Sequence, residues 1–210
     1  MVHPLWESLA RDAGGTLTAE QAAALERYLD LLLAANARMN LTRIVDREQA
    51  RVQHVGDALT LLPHLPPGQH RLADVGSGGG VPGIPLAIAR PDASVTLIES
   101  IGKKAAFLEE TAAALGLENI AVRRGRAEEW RGEAFDVVAC RALAPMEKVL
   151  GWCRPLVAPG GRLLAMKGPR LGGELAAAEK LIRRQGAHVA VHGVEEEGLV
   201  GHVVAEVRWD

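Results

Sequence analysis

Apolar and polar residues alternate with a helical period in the first third of the chain and with a strand period after it. Ala22, Leu25, Leu29, Leu32 and Leu33 recur at three- and four-residue spacing, which lays one buried stripe along a helix. Thr18-Ala19-Glu20-Gln21 opens that helix as a capping box, in which the Thr hydroxyl accepts the third helical N–H and Gln21 reaches back. Asn36 and Asn40 end the pattern. A second helix is predicted from Asp46 to Leu62, carrying His54 and Asp57. Pro63, Pro66, Pro67 and Gly68 cannot continue it. This divides the chain into an N-terminal helical extension, residues 1–66, and a larger domain, residues 67–210.

Beyond Gly68 short apolar runs predict strands at Arg71–Val75, Val95–Glu99, Ile120–Arg123, Phe135–Ala139, Arg162–Met166, His188–His192 and His202–Arg208. Helices are predicted between them at Ile84–Ala89, Ile101–Leu115, Met146–Leu156 and Glu174–Arg184. The Phe135–Ala139 run is almost wholly apolar, as suits a strand covered on both faces. Strand–helix alternation implies an α/β fold with a mostly parallel, doubly wound sheet. The last two strands are joined by a short loop, so they should form a hairpin and bring in an antiparallel strand.

Composition narrows the class. Of 210 residues, 48% are hydrophobic but only 3% are aromatic, which favours Ala/Leu/Val-rich helices on a sheet over a β-sandwich. A formal net charge of −2 supplies no global basic field, so any nucleic-acid binding must come from a local patch. Cys140 and Cys153 lack C-x-x-C spacing and read as small buried thiols in a reducing compartment. Residues Met1–Glu7 lack the basic region and apolar run of a secretory signal, and no stretch reaches the roughly 18 apolar residues of a membrane span. A cytoplasmic chain without a membrane partner is expected. Nothing reads as a coiled coil or dimer face, so a monomer is the default.

The candidate chemistry begins after the first predicted strand, at Asp74-Val75-Gly76-Ser77-Gly78-Gly79-Gly80-Val81-Pro82-Gly83. Five glycines in ten residues exceed what a plain turn requires. They permit positive φ and close approach of a ligand, at the strand end where open α/β sheets bind ligands. Gly78 to Gly83 formally matches G-x-G-x-x-G, with Glu99 about 20 residues on, which would suit NAD. The match starts late, and the chain after the fourth strand is short for a dehydrogenase's substrate domain. S-adenosylmethionine is the rival. Its ribose also needs an acid after the second strand, which Glu99 supplies. Asp74 can face its cationic ammonium and sulfonium. A structural turn capped by Asp74, in a non-catalytic binding module, is the bland alternative.

The chain resembles the bacterial GidB/RsmG family, cytoplasmic enzymes that methylate N7 of a guanine in 16S ribosomal RNA. The resemblance spans nearly the whole chain. It rests on the run from Asp74 to Leu86 with its Pro-Gly-Ile-Pro ending, and on Leu97-Ile98-Glu99-Ser100-Ile101-Gly102-Lys103-Lys104 followed by Phe107-Leu108. Arg126-Ala127-Glu128-Glu129, Cys140-Arg141-Ala142-Leu143-Ala144, and upstream Asn36, Met39-Asn40-Leu41-Thr42, His54 and Asp57 also match. Lys167-Gly168 falls where the family carries a basic residue. Ala35, Met39 and the acidic Glu195-Glu196-Glu197 depart from the pattern.

The resemblance implies a Rossmann-like class I S-adenosylmethionine-dependent methyltransferase, with residues 67–210 holding the cofactor. The sheet would be seven-stranded and mostly parallel, with an antiparallel C-terminal strand and the N-terminal helices added. It implies cofactor contacts at Gly76, Val81, Ala127, Glu128 and Arg141; Ser77, Gly78, Glu99 and Ser100 complete the expected cofactor set. Its target would be guanine 527 in the 530 loop, with 16S rRNA or the 30S subunit as partner. Guanine N7 is nucleophilic without losing a proton, so no catalytic residue is named. Arg38, Arg43, Arg123, Arg124, Arg126, Arg141 and Lys167 are candidates to grip RNA, with Arg123-Arg124 foremost and Arg141 in either role. Methylation of a small molecule or a protein remains the alternative substrate class. His54 is read as a helix histidine bonded to nearby backbone or to Asp57.

Overall fold

The computed structural model describes residues 2–132 and 134–210. Helices α1 (Pro4–Asp12) and α2 (Ala19–Met39) come first. Helix α3 (Arg47–Ala50) runs through a π-helical stretch, Arg51–Gly56, into α4 (Asp57–Leu59). Then follow β1 (His70–Val75), α5 (Gly83–Ala89), β2 (Ala93–Glu99), α6 (Gly102–Leu115), β3 (Ile120–Arg124), β4 (Phe135–Arg141), α7 (Met146–Cys153), β5 (Val157–Lys167), α8 (Leu171–Arg184), β6 (Ala187–Gly193) and β7 (Val203–Trp209). The sheet order is β3-β2-β1-β4-β5-β7-β6. Strands β1 to β5 pair in parallel, and β7 lies antiparallel between β5 and β6, as the hairpin reading anticipates. Strand order reverses between β1 and β4, which opens a crevice at their carboxyl ends.

Each face of the sheet has its own apolar layer. The helices before β1 join α5 and α6 over one face, where Trp6, Leu25, Leu29, Leu59, Ile84 and Leu108 pack with Leu72 and Leu97 of the strands. Helices α7 and α8 cover the other, through Met146, Leu150 and Ala178 against Val138 and Leu163. The Thr18–Gln21 capping box forms as expected. The Gln21 amide also donates to the carbonyls of Ile88 and Ala89, at 2.9 and 3.2 Å, tying the start of α2 to the end of α5. Cys140 and Cys153 are both buried free thiols.

Two local features differ from the pattern. Helix α1 is not anticipated, because only Trp6, Leu9 and Ala10 of its nine residues are buried and they make too short a stripe. The helix predicted over Asp46–Leu62 ends at Leu59 and widens to π geometry in its middle. Widening misaligns backbone carbonyls, which then need other donors. The Trp6 indole of α1 donates to the Arg51 carbonyl at 2.9 Å, and Arg141 of β4 donates to that of Gln53 at 2.6 Å. The irregular turn is thus stitched to both a neighbouring helix and the sheet.

Gly83 opens α5 flat against β1 and β2. A Cβ there would stand 2.3 Å from Leu97 Cδ2 and 2.9 Å from Asp74 Cβ. Gly83→Ala should therefore lower unfolding free energy by about 1–3 kcal/mol in urea titration, the usual cost of overpacking a tight core. A loss below about 0.5 kcal/mol would show that the α5–β1 contact can relax.

Candidate functional site

The glycine loop is fixed at every turn by hydrogen bonds. Gly76, Gly78 and Gly80 have φ of 72°, 55° and 97°, in the left-handed region that favours glycine. The N–H groups of Gly76 and Ser77 both donate to the Ile98 carbonyl of β2. Glu99, buried at the end of β2, accepts from Gly78 N–H through Oε2 at 2.9 Å and from Ile101 N–H through Oε1 at 2.8 Å. It is therefore no solvated strand end. Its carboxylate joins the glycine loop to the start of α6, and each oxygen keeps a lone pair for a further donor. Tyr28 of α2 donates its hydroxyl to the Gly79 carbonyl at 2.8 Å. Sequence reasoning missed Tyr28, since nothing local links it to a loop 51 residues away.

Asp74 sits beneath the loop with no solvent exposure. Its Oδ2 accepts from Gly83 N–H at 3.0 Å, while Oδ1 is buried without a partner. Burial pushes this carboxyl up to about 7, partly offset by the Gly83 N–H bond, the Ser77 hydroxyl and the Arg141 charge. A buried, half-satisfied acid is costly unless a cationic or hydrogen-bonding ligand completes it. That is the chemistry a sulfonium or ammonium group would meet. The residues present thus fit S-adenosylmethionine: an acid for its charge, an acid at the ribose position, and glycines for close approach. Not every glycine serves a ligand. A Cβ on Gly79 would strike Leu32 at 2.8 Å, and one on Gly80 would strike Ile84 at 2.5 Å.

The other expected cofactor residues surround this core. Ser77 is buried and bonds the Asp74 carbonyl; Val81 is buried behind the loop. Ser100 is exposed just past Glu99. Ala127 is buried and Glu128 exposed in a 3₁₀ turn, Ala127–Glu129, that follows β3 on the same edge of the sheet.

Arg141, at the end of β4, does not project freely. Its guanidinium donates to the Gln53 carbonyl and lies 3.3 Å from Asp57 Oδ2 and 3.0 Å from His54 Nδ1. His54 Nε2 lies 3.0 Å from Thr42 Oγ1, and Asp57 Oδ1 is 2.9 Å from His202 Nδ1. A guanidinium has only donors, so Nδ1 of His54 accepts and Nε2 carries the proton. Burial and the Arg141 charge together push His54 down to about 4. His54 thus contacts Arg141 and Thr42 in addition to the nearby backbone and Asp57 charge that its sequence position suggested. His202 is raised instead, by its bond to Asp57. Its partnership bridges 145 residues, which no local motif could reveal.

The loop after β4 is held from the other side. Ala142 takes a left-handed φ of 51°, costly for a residue with a Cβ. Leu143 comes so close that a Cβ on Gly76 would lie 2.6 Å from its Cδ1. Lys167 Nζ donates to the Ala144 carbonyl at 2.6 Å and to Glu174 Oε2 at 2.7 Å, and the same oxygen accepts from Met146 N–H. Beside this loop opens a cleft of about 1150 Å³, lined by Arg43, Arg141, Lys167, Arg170 and His202 among others. Of these cations, Arg141 and Lys167 are locked by protein partners. The guanidinium groups of Arg43 and Arg170 make no hydrogen bond or ion pair among the described residues, and both residues are exposed. Arg170 was not singled out from sequence. Arg123 and Arg124 are exposed on the edge strand β3 and do not line the cleft; Arg124 covers Gly102.

The sheet order, the glycine loop after β1 and the acid ending β2 define a class I methyltransferase fold. Two solved methyltransferases share the architecture. The ribosomal protein L11 methylase from Lactobacillus delbrueckii subsp. bulgaricus matches with a TM-score of 0.60 at 16% identity, over 75% of this chain and 79% of that one. The glycopeptide N-methyltransferase MtfA, complexed with S-adenosyl-L-methionine, matches with a TM-score of 0.59 at 12% identity, over 74% and 94%. The sequence goes further. The chain belongs to the GidB family, rRNA small subunit methyltransferase G, whose pattern covers residues 21–200. The ribosomal RNA small subunit methyltransferase G of Sorangium cellulosum (strain So ce56) is 49% identical over 180 residues, 83% of this chain and 75% of that one. The fold and the family are those the sequence anticipates, and the enzyme is a methyltransferase of small-subunit ribosomal RNA.

His54 makes a specific contribution to pH dependence. Its folded value lies below the ordinary 6.5, so the stability it supports is complete above pH 6.5 and is lost as pH falls through about 4. Urea unfolding should show the wild type more stable than His54→Gln by about 1–2 kcal/mol at pH 7.5, with the gap closing and then reversing as pH falls toward 4. A gap that stays constant over that range would place the imidazole outside the Arg141 network.

Proposed function

We propose that the chain transfers the methyl group of S-adenosylmethionine to N7 of a guanine in 16S ribosomal RNA, within the 30S subunit or its RNA. The observation that carries this reading is a pair of neighbouring sites, one at the carboxyl ends of β1 and β2 and one at those of β4 and β5, linked where Leu143 packs on Gly76. One is the buried Asp74 with an unpartnered oxygen. The other is an open cleft whose wall carries the exposed Arg43 and Arg170.

The cofactor supplies an electrophilic methyl group on a sulfonium leaving group. With the cofactor bound, the buried Asp74 carboxylate would offset its positive charge, Glu99 would accept from the ribose hydroxyls, and the Ala127 backbone would meet the adenine edge. Arg43 and Arg170 take RNA phosphates, giving affinity without sequence information. Arg141 and Lys167 act through position. Arg141 anchors the end of β4 to the π-helical turn, and Lys167 fixes the loop that forms the cleft floor. The target base is splayed from an RNA loop and presented edge-on. Its N7 lone pair attacks in line, and the rate comes from positioning and exclusion of water. No proton must leave first. Both nitrogens of His54 are engaged, and its value near 4 leaves it neutral at physiological pH, so it acts as a positioning residue and not as a base.

The test is incubation of the purified protein with radiolabelled S-adenosylmethionine and 30S subunits from cells lacking the endogenous enzyme, followed by mapping of label on the RNA. Label at N7 of one guanine, with kcat flat between pH 6.5 and 8.5, is the expected result. Label on an exocyclic amine or a ribose oxygen, or kcat rising tenfold per pH unit, would overturn the proposed chemistry.

A further inference from the structure

A second cluster of ligating side chains lies away from the cleft, where the β6–β7 hairpin meets the end of the N-terminal helices. His64 stands in a 3₁₀ turn, Leu62–His64; His192 is on β6 and Glu206 on β7. None of the three lines the cleft. Their ligand atoms all lie within 4.8 Å of one another. His192 Nε2 is 3.1 Å from Glu206 Oε2, and His64 Nδ1 is 3.8 Å from the same oxygen. The imidazole rings sit 4.4 Å apart between centroids, tilted by 43°.

We propose that His64 Nδ1, His192 Nε2 and Glu206 Oε2 form a binding site for a divalent transition-metal ion of the zinc class. Hydrogen bonding alone accounts for His192 but not for His64, whose nitrogen converges on Oε2 from beyond hydrogen-bond distance. A tetrahedral ion with bonds of about 2.0–2.1 Å sets its ligand atoms about 3.3 Å apart, and the two nitrogen–oxygen separations bracket that value. Two imidazoles and a carboxylate are a common zinc donor set with a fourth position left for water. Both histidines border a cavity of about 130 Å³, which supplies that space and is also lined by Asp12 and Glu196.

The charges nearby set the strength. The other Glu206 oxygen, Oε1, accepts from Arg208 Nε at 2.7 Å and lies 3.5 Å from Arg162 Nη1. These bonds orient the carboxylate, in the way outer partners orient metal ligands. Their positive charge also opposes a cation, while Asp12 and Glu196 favour it. Micromolar affinity follows, weaker than in closed structural sites. Metal binding at these atoms requires the His192 proton on Nδ1 and the His64 proton on Nε2. The bound ion would pin the edge hairpin of the sheet to the helical layer.

The experiment uses chelator-treated full-length protein and zinc chloride alone, by calorimetry and thermal unfolding, with cobalt(II) absorption to report coordination. One equivalent should bind with micromolar Kd. At a hundredfold excess over Kd the Tm should rise by about 5–10 °C, as mass action requires. Cobalt should give the visible bands of four-coordinate geometry. His64→Gln and His192→Gln should each weaken binding at least tenfold while keeping the wild-type circular dichroism spectrum. The histidine variants carry the test because Glu206 also anchors two arginines. Absence of stoichiometric binding to the wild type, or undiminished binding by both variants, would overturn the proposal.

Discussion

The site depends on one uncompensated carboxyl. Asp74 lies one residue before the end of β1, at the point where strand order reverses, wholly enclosed, with Oδ2 bonded to the first turn of α5 and Oδ1 without a hydrogen-bond partner. Folding accepts the cost of burying this group because the same backbone turn brings α5 flat onto the sheet through Gly83. What is left is an acceptor in a low-dielectric setting, where a cation's attraction is worth far more than in water. The glycine loop, Glu99 and Tyr28 keep that acceptor's surroundings from relaxing around it.

The N-terminal helices complete the site as well as the core. Tyr28 reaches the loop from α2, and the π-helical turn presents the Gln53 carbonyl, His54 and Asp57 to Arg141. The regular helix predicted for this stretch would align these groups differently; the widened turn is stabilised by Trp6 on one side and Arg141 on the other. Arg141 and Lys167 line the cleft, yet both are held by protein partners. Arg141 ties the end of β4 to the π-helical turn, Lys167 holds the β4–α7 loop with its strained Ala142, and Arg43 and Arg170 are the exposed cations of the lining.

Much of this was legible in the sequence, for physical reasons. Strands β1, β2 and β4 are short and largely apolar because parallel strands inside the sheet are covered on both faces, and the Thr18 capping box and the five glycines act locally. Glu99 and Asp74 stood out because they flank that loop. What stayed hidden depends on distance along the chain. The Asp57–His202 bridge, the Tyr28 bond and the convergence of His64, His192 and Glu206 are tertiary facts with no periodic signature. Arg123-Arg124 drew notice as a charge pair, yet the pair sits on the edge strand outside the cleft. Helix α1 was too short to leave a readable stripe.

The most direct test of the account is proton linkage in cofactor binding. Asp74 is raised to about 7 in the free protein, and a sulfonium or ammonium beside Oδ1 would draw it down. Its proton is therefore released on binding at pH 6 and already gone at pH 8.5. Titration calorimetry with S-adenosylmethionine, in two buffers of different ionisation enthalpy, should show release of about one proton at pH 6 and almost none at pH 8.5. Asp74→Asn should abolish the release and weaken binding. Binding without proton release at pH 6, or equal release by the variant, would contradict the claim that Asp74 receives the cofactor's charge.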